Sequence, residues 1–234
     1  MTPILAIALR ELYSFVVSLR AYVILGLGLA LFTHFFGLLL ADGREASMRS
    51  MFKIMEFLFL TICPILTMGA LAEERRSGTL ELLRTAPVSR TGIVLGKYLG
   101  LMTVFAMLVA ATFHFYAVLE YYGAPDRWPV VAGYVGLMLE GGLLLAIGLL
   151  ASSLTSSQAV SGLLTYAAAF GLYALALIGP YLPDGWGTAV TSFGLGAHMN
   201  SMARGLIETQ DLVYFATLTP LALALTVWHQ SSRE

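Results

Sequence analysis

The chain has 234 residues, of which 58% are hydrophobic and 12% are charged, and its mean hydropathy is +0.81. A soluble domain carries about 25% charged residues, so this composition is that of an integral membrane protein. The net charge of −1 excludes a strong global field that would attract nucleic acid. Cys63 is the single cysteine, which rules out an intrachain disulfide and a cysteine zinc cluster.

Residues 1–20, before the first long apolar run, are patterned as an amphipathic helix. Apolar side chains recur at helical spacing from Leu5 to Leu19, and Glu11 lies on another face with two serines. The pattern predicts a helix that lies in the cytoplasmic membrane interface. The alternative is an extension of the first span, which would place Arg10 and Glu11 in lipid.

The fold predicted for the whole chain is all-α, in a single transmembrane domain. A membrane-crossing helix needs about 20 apolar residues. Stretches of this kind occupy 21–41, 54–72, 93–119, 128–151, 158–181 and 212–229. The boundary between the fourth and fifth spans rests on Ser152 to Gln158 alone, whose polar groups suit an interface but carry no charge. Short re-entrant or interfacial helices are expected between Leu182 and Gln210.

The distribution of lysine and arginine predicts how these six spans are oriented. An even number of spans puts both termini on one side of the membrane. That side carries eight basic residues and the opposite side carries five (Arg10, Arg20, Arg75, Arg76, Arg84, Arg90, Lys97 and Arg233 against Arg44, Arg49, Lys53, Arg127 and Arg204). Because cytoplasmic loops hold the excess of positive charge, both termini and the loop over 73–92 are predicted to be cytoplasmic.

The stretch from Glu73 to Arg90 places seven charges in eighteen residues of an otherwise apolar chain. Ser77 and Gly78 are expected to break the helix that leaves the membrane, and Thr79 to cap a short helix that Pro87 ends. Leucines give that short helix an apolar surface suited to a groove on a partner. The alternative is a solvated loop whose charges serve only topology.

Two segments carry a resemblance to a known family. The sequence EERRSGTLELLRTAPVSRTGIVLGKYLG, from Glu73 to Gly100, closely resembles the loop between the second and third spans of ABC-2 type transporter permeases. The sequence from Ser201 to Leu223 resembles the last outer segment and final span of permeases grouped with gliding motility and multicopper-enzyme maturation.

The resemblance implies a membrane subunit of an ATP-driven exporter, with no catalytic residues of its own. ATP and magnesium would be bound by a separate ATPase, present in two copies, which docks on a coupling helix. Carried over residue by residue, the docking candidates are Glu74, Thr79, Leu80, Glu81, Leu83 and Pro87, with Arg75 and Arg84 as ionic neighbours. The resemblance further implies that the chain forms a dimer with itself or with a homologue, in a bacterial or archaeal cytoplasmic membrane. It also implies contacts with membrane lipid and with an outer accessory protein.

The sequence GIVLGKY, from Gly92 to Tyr98, looks superficially like a phosphate-binding loop. Only three residues separate its glycines, and tyrosine stands where serine or threonine would hold magnesium. Gly92, Gly96 and Gly100 are instead interpreted as a small-residue face that allows close helix packing. Lys97 is expected to snorkel so that its ammonium reaches water.

Two acidic residues lie within predicted spans. Glu140, near the middle of the fourth span, must face protein or water, because an ionised group at the bilayer centre costs about 2.5 to 3.5 kcal/mol on translocon scales. It is either a substrate or proton contact in a central pathway, or a protonated packing residue. Glu56 is expected at the outer interface, paired with Lys53 three residues away.

Histidine and methionine side chains raise the question of copper binding. His198, Met199 and Met202 form a short cluster, and His34 and His114 lie elsewhere. Thioether and imidazole groups suit copper, but no ligand set of fixed geometry is evident, and methionine is common between apolar helices. No metal site is predicted.

A rival function is an ATP-independent channel or secondary transporter in which Glu140 binds an ion or proton. Such transporters often show paired, broken spans in their two halves. Only the second span is expected to carry a proline well inside it, at Pro64, and no matching half is seen.

Overall fold

The computed structural model describes residues 3–41, 47–79, 88–123, 125–183 and 185–231, which are helical with short connections and contain no strand. The helices are α1 (Pro3–Val16), α2 (Leu19–Ala41), α3 (Arg49–Thr67), α4 (Ala72–Arg76), α5 (Arg90–Ala111), α6 (Phe113–Tyr122), α7 (Arg127–Leu154), α8 (Gln158–Ile178), α9 (Trp186–Phe193), α10 (Leu195–Ala203) and α11 (Thr209–Ser231). A 3-10 turn, Gly179–Tyr181, follows α8. The prediction of an all-α fold is confirmed.

Six helical stretches within these ranges are long and apolar enough to cross a membrane. They are Ala21–Ala41, Arg49–Arg76, Arg90–Tyr122, Arg127–Leu154, Gln158–Tyr181 and Thr209–Ser231. The predicted number of spans is therefore confirmed. The fourth stretch ends at Leu154 and the fifth begins at Gln158, where the Ser157 hydroxyl accepts a hydrogen bond from the backbone N–H of Val160. A capped helix start at this point separates the two spans.

Helix α7 is the centre of the bundle and contacts α3, α5, α8, α10 and α11. Its glycines let large side chains of neighbouring helices approach its backbone. A Cβ atom at Gly133 would overlap the ring of Phe52, and one at Gly141 would overlap the ring of Phe105. Because any larger residue would push these rings away, the two glycines set the spacing of α7 from α3 and α5.

Prolines lie inside two of the long helices. Pro64 is in α3, which ends one turn later at Thr67, and Pro220 is inside α11. The expectation that only the second span carries an internal proline is therefore wrong. The two prolines belong to the second and sixth spans, which do not correspond in a repeat of three spans plus three, so the repeat expected of a secondary transporter is still not seen.

The bundle has two ends, which we name after residues located there. At the Lys97 end, α1 packs against the first half of α5, and α4 packs against α7 and α8. The His198 end contains α9, α10 and the first turn of α11. Helix α9 contacts α8 and α10, and a hydrogen bond joins α10 to α11. The described parts of the Glu73 to Arg90 segment, residues 73–79 and 88–90, lie at the Lys97 end.

Candidate functional site

Three charged side chains from three different helices meet at the Lys97 end. The Nζ atom of Lys97 in α5 lies 2.7 Å from Oε1 of Glu11 in α1 and 2.7 Å from Oε1 of Glu74 in α4. The Lys97 side chain is 1% exposed, against 22% for Glu11 and 14% for Glu74. One ammonium is shared by two carboxylates, so this Lys97 triad carries a net charge of −1.

The glycine face of α5 brings α1 close enough to form the triad. A Cβ atom at Gly96 would lie 2.7 Å from Cβ of Ile7, and one at Gly100 would lie 2.7 Å from Cβ of Glu11. Contacts this short mean that any larger side chain would force α1 and α5 apart. The prediction that the glycines form a close-packing face is confirmed, and the helix packed on that face is α1.

The expectation that Lys97 snorkels to water is wrong. Its side chain is buried, because α1 covers the α5 face on which it lies between Gly96 and Gly100. A buried ammonium is tolerated when carboxylates compensate its charge, and Glu11 and Glu74 provide that compensation. Sequence spacing gave no sign of this contact, because 86 positions separate Lys97 from Glu11.

A serine of α7 fixes the turn between α3 and α4. The Ser152 hydroxyl accepts hydrogen bonds from the backbone N–H groups of Leu71 and Ala72, both at 3.0 Å, and donates to the carbonyl oxygen of Met68 at 3.3 Å. Ser152 is fully buried between these helices, and its expected place at the membrane interface stays a prediction. It satisfies backbone groups at the start of α4 that have no partner within the helix.

The docking candidates fall into two groups. Glu74, Arg75 and Thr79 are described, and all three are half-buried. The Glu74 carboxylate faces Lys97, and the Thr79 hydroxyl donates to the carbonyl oxygen of Glu74 at 3.4 Å. The chain turns at Gly78, whose φ of 72° favours glycine, as expected for a helix break. The remaining candidates lie outside the described residues: Leu80, Glu81, Leu83, Arg84 and Pro87.

Two carboxyl groups are buried between α3 and α7. Glu140 in α7 is 0% exposed, and Glu56 in α3 is 5% exposed. Glu56 is therefore covered by neighbouring helices, and its expected place at the outer interface stays a prediction. Lys53 is nevertheless close enough to interact with it electrostatically. Glu56 and Glu140 lie within electrostatic reach of each other, so the two groups belong to one region.

The surroundings of Glu140 give it little compensation. Among the described residues, neither of its side-chain oxygens has a hydrogen-bond partner. Cys63, Tyr173 and Tyr214 lie within electrostatic reach, from α3, α8 and α11. A buried carboxyl without a partner is energetically costly, and such groups are often retained for a function.

A second polar constellation lies at the His198 end. Nδ1 of His198 lies 2.6 Å from Oδ1 of Asp211, and its Nε2 lies 2.9 Å from the carbonyl oxygen of Ser192. The Ser201 hydroxyl donates to Oδ2 of Asp211 at 2.8 Å. Because this serine contacts the aspartate and not the imidazole, the three side chains are not arranged for nucleophilic catalysis.

The histidine and methionine cluster is divided between two environments. The His198 nitrogens face Asp211 and Ser192, whereas the sulfur atoms of Met199 and Met202 pack where Gly136 leaves room on α7. Within the described ranges, no three or more histidine, cysteine, aspartate or glutamate side chains are grouped to hold a metal ion.

These features define a polytopic helical membrane protein whose charged end is tied to its spans by buried ion pairs. A family model described as "ABC-2 family transporter protein" matches residues 9–227. The chain therefore belongs to the ABC-2 family of transporter proteins. No curated protein matches the chain.

Proposed function

We propose that this chain is the transmembrane permease subunit of an ATP-driven ABC exporter, related to the permeases of gliding motility and multicopper-enzyme maturation. The observation that carries the proposal is the Lys97 triad. Glu74 lies six residues before the segment 80–87. Its carboxylate pairs with Lys97, whose side chain is buried between α5 and α1. A displacement of that segment would therefore act directly on α1, α5 and, through Ser152, α7.

In this proposal the Glu73 to Arg90 segment docks a separate ATPase. Leu80, Glu81, Leu83, Arg84 and Pro87 supply the docking surface, with Arg75 and Thr79 beside it. Glu74 contributes from the inside, because its carboxylate joins the segment to Lys97. Two ATPase copies bind ATP and magnesium, and this chain binds neither.

The position of GIVLGKY supports the proposal that ATP is bound by the ATPase and not by this chain. Residues Gly92 to Tyr98 are in the helix α5, whereas a phosphate-binding loop wraps backbone N–H groups around the anion. The Lys97 ammonium is buried and already engaged by two carboxylates. This lysine is therefore poorly placed to reach a nucleotide phosphate.

The spans at the outside of the bundle favour assembly with a second permease chain. Over an apolar stretch of 18 residues in each of α2, α8 and α11, only 17%, 17% and 22% of the residues are buried within the chain. We propose that part of this surface pairs with another copy or a homologue, that substrate moves along the interface, and that lipid covers the rest. We propose that the complex lies in a bacterial or archaeal cytoplasmic membrane. Both termini would be cytoplasmic, and α1 would lie in the membrane interface. An outer accessory protein would be a further partner.

Co-purification of the full-length chain with the ABC ATPase encoded beside it tests the proposal. Glu81→Arg and a Leu80→Ser/Leu83→Ser double variant should lose the complex while still inserting in the membrane. Glu120→Arg is the matched control, because Glu120 is half-exposed near the opposite end of the bundle and should leave the complex intact. A chain that purifies alone and moves ions without nucleotide would overturn the proposal.

One observation favours a second function. Glu140 and Glu56 form a buried acidic region without hydrogen-bond partners for the Glu140 oxygens among the described residues. An ATP-independent channel or secondary transporter would use Glu140 to bind an ion or proton. It predicts flux in vesicles that contain this chain and no nucleotide.

A further inference from the structure

A cavity of about 700 Å³ lies next to the Lys97 triad, between α1, α2, α3, α4 and α5. Its lining changes from polar to apolar along the bundle. Glu74 and Lys97 line it near the Lys97 end, and Val104 lines it deeper in the bundle. Seven residues of helix α5 separate Lys97 from Val104, which corresponds to about 10 Å along the helix axis. The cavity therefore has the lining expected for an amphipathic ligand.

The apolar part of the lining is continuous with the outside of the bundle. Leu19 and Val23 of α2 line the cavity and are 78% and 56% exposed, and Ile65 of α3 is 40% exposed. Exposed apolar side chains on membrane-spanning helices face lipid tails. A lipid could therefore enter sideways from the surrounding leaflet.

In the polar part of the lining, one carboxylate oxygen has no hydrogen-bond partner among the described residues. Oε1 of Glu74 contacts Lys97, whereas its Oε2 is buried and has no hydrogen-bond partner among the described residues. Since the Lys97 triad has two carboxylates for one ammonium, a second cation with N–H donors would complete it. An anion would be repelled at this position.

A positive charge lies at the rim of the same cavity. Arg10 lines the cavity one residue before Glu11, and it is exposed. A guanidinium binds phosphate well, because its N–H groups match the phosphate oxygens. Positive charge at Arg10 and negative charge at Glu74 together match a zwitterionic head group.

We propose that this cavity binds a membrane phospholipid with a primary-amine head group. Its ammonium donates to Glu74, its phosphate lies at Arg10, and an acyl chain lies along Val23 and Val104. The volume is within the range of about 300 to 1,000 Å³ found for ligand pockets. It accommodates the head group and part of a chain, and the remaining tails continue into the bilayer beside α2.

The chemistry discriminates among three common head groups. Phosphatidylcholine has the same charge as phosphatidylethanolamine, but its quaternary ammonium has no N–H to donate to Glu74. Phosphatidylglycerol has no cation at all, and its net negative charge is unfavourable near the Lys97 triad. The amine lipid is therefore expected to bind more tightly than both.

Native mass spectrometry of the full-length chain with these three lipids, matched in acyl chains, tests the proposal. Wild type should retain phosphatidylethanolamine about tenfold better than phosphatidylglycerol, as expected for one charge-assisted hydrogen bond. It should retain phosphatidylcholine to an intermediate degree. Glu74→Gln should abolish the preference for the amine lipid, and Arg10→Gln should weaken all three lipids by a similar factor. Glu120→Gln, near the opposite end of the bundle, is the matched control and should show the wild-type pattern.

Equal retention of the three lipids, a preference for phosphatidylglycerol, or an amine preference that survives Glu74→Gln would overturn the proposal. If Glu74→Gln does not fold, the wild-type lipid series and the exposed Arg10→Gln variant still decide it. Co-purification with the ATPase is measured on the same samples. Lipid selectivity without an ATPase complex contradicts the transporter proposal alone, and a complex without lipid selectivity contradicts the lipid proposal alone.

Discussion

Oε1 of Glu74 lies 2.7 Å from Nζ of Lys97, and this contact joins the helix before segment 80–87 to the third span. Helix α4 has only five residues, too few for a stable isolated helix. Its orientation therefore depends on tertiary contacts, of which the ion pair with Lys97 and the Ser152 hydrogen bonds are two. The charged segment and the bundle are mechanically connected at this point.

Lys97→Met should destabilise the protein by about 3 kcal/mol, at the lower end of the cost of breaking a buried ion pair. The variant retains a long side chain but leaves Glu11 and Glu74 without their counter-charge. The lower end applies because both carboxylates are partly exposed. Unfolding of the detergent-solubilised chain by denaturant measures the loss.

Arg127→Met is the control for this variant. Arg127 also pairs with a glutamate, Glu120, at 3.1 Å, but its side chain is 82% exposed. A surface pair contributes at most about 1 kcal/mol. Equal losses in the two variants would show that burial of Lys97 adds nothing to its ion pairs.

Gly96→Ala should separate α1 from α5 and cost about 1 to 3 kcal/mol, the usual range for overpacking. The added Cβ would lie 2.7 Å from Cβ of Ile7 and 3.0 Å from the carbonyl oxygen of Ile4, so the helix backbone itself must move. Gly26→Ala is the control, because a Cβ at Gly26 has no atom within 4 Å. Hydrogen exchange of the α1 amides should increase only in Gly96→Ala, and unchanged exchange would contradict the role of the glycine face.

Much of the fold was predictable because each membrane span has a local signature in the sequence. Each span must be long and apolar, and the six stretches satisfy that requirement individually. The glycine face at Gly92, Gly96 and Gly100 was also readable, because it depends on spacing within one helix. The helix that packs against it was not, since any neighbouring helix could have filled the same groove.

The site was less predictable because its contacts join residues far apart in the chain. Lys97 was expected to reach water and Glu56 to pair with Lys53 at the interface, and both side chains are also buried by other helices. A local pattern gives the depth of a residue in a span but not its partner across the bundle. The hydrogen bond between His198 and Asp211 was missed for the same reason, since it depends on how α10 and the first turn of α11 come together.

Ser152→Ala should cost about 1 to 3 kcal/mol, because it leaves the N–H groups of Leu71 and Ala72 without their acceptor. Ser153→Ala is a closely matched control: Ser153 is also buried, but among the described residues its hydroxyl donates to the Leu150 carbonyl oxygen within its own helix. Chemical denaturation should therefore separate the two neighbouring variants. A loss in Ser153→Ala as large as that in Ser152→Ala would argue against the proposed anchoring of α4.

Asp211→Asn should loosen the His198 end. The Asp211 carboxylate contacts Nδ1 of His198 and accepts hydrogen bonds from Ser201 Oγ and the backbone N–H of Glu208. A neutral amide cannot accept all three in the same way, and hydrogen bonds to a charged group contribute about 1.5 to 3 kcal/mol each. Hydrogen exchange should rise in α10, whereas Glu208→Gln, at an exposed position, should leave it unchanged. Unaltered exchange in Asp211→Asn would mean that this carboxylate does not hold α10 in place.

Glu140→Gln tests whether the buried carboxyl acts in transport or only in packing. The amide is similar in shape and neutral, so folding should be retained, and a packing role predicts unchanged activity. A role in the pathway predicts that transport-coupled ATPase activity, measured across pH with the partner ATPase, falls or changes its pH dependence, because glutamine cannot exchange a proton. Glu56→Gln and the double variant extend the test: since the two charges interact, their effects should not be additive if both groups act in one step. An unaltered pH profile in Glu140→Gln would remove this residue from the mechanism.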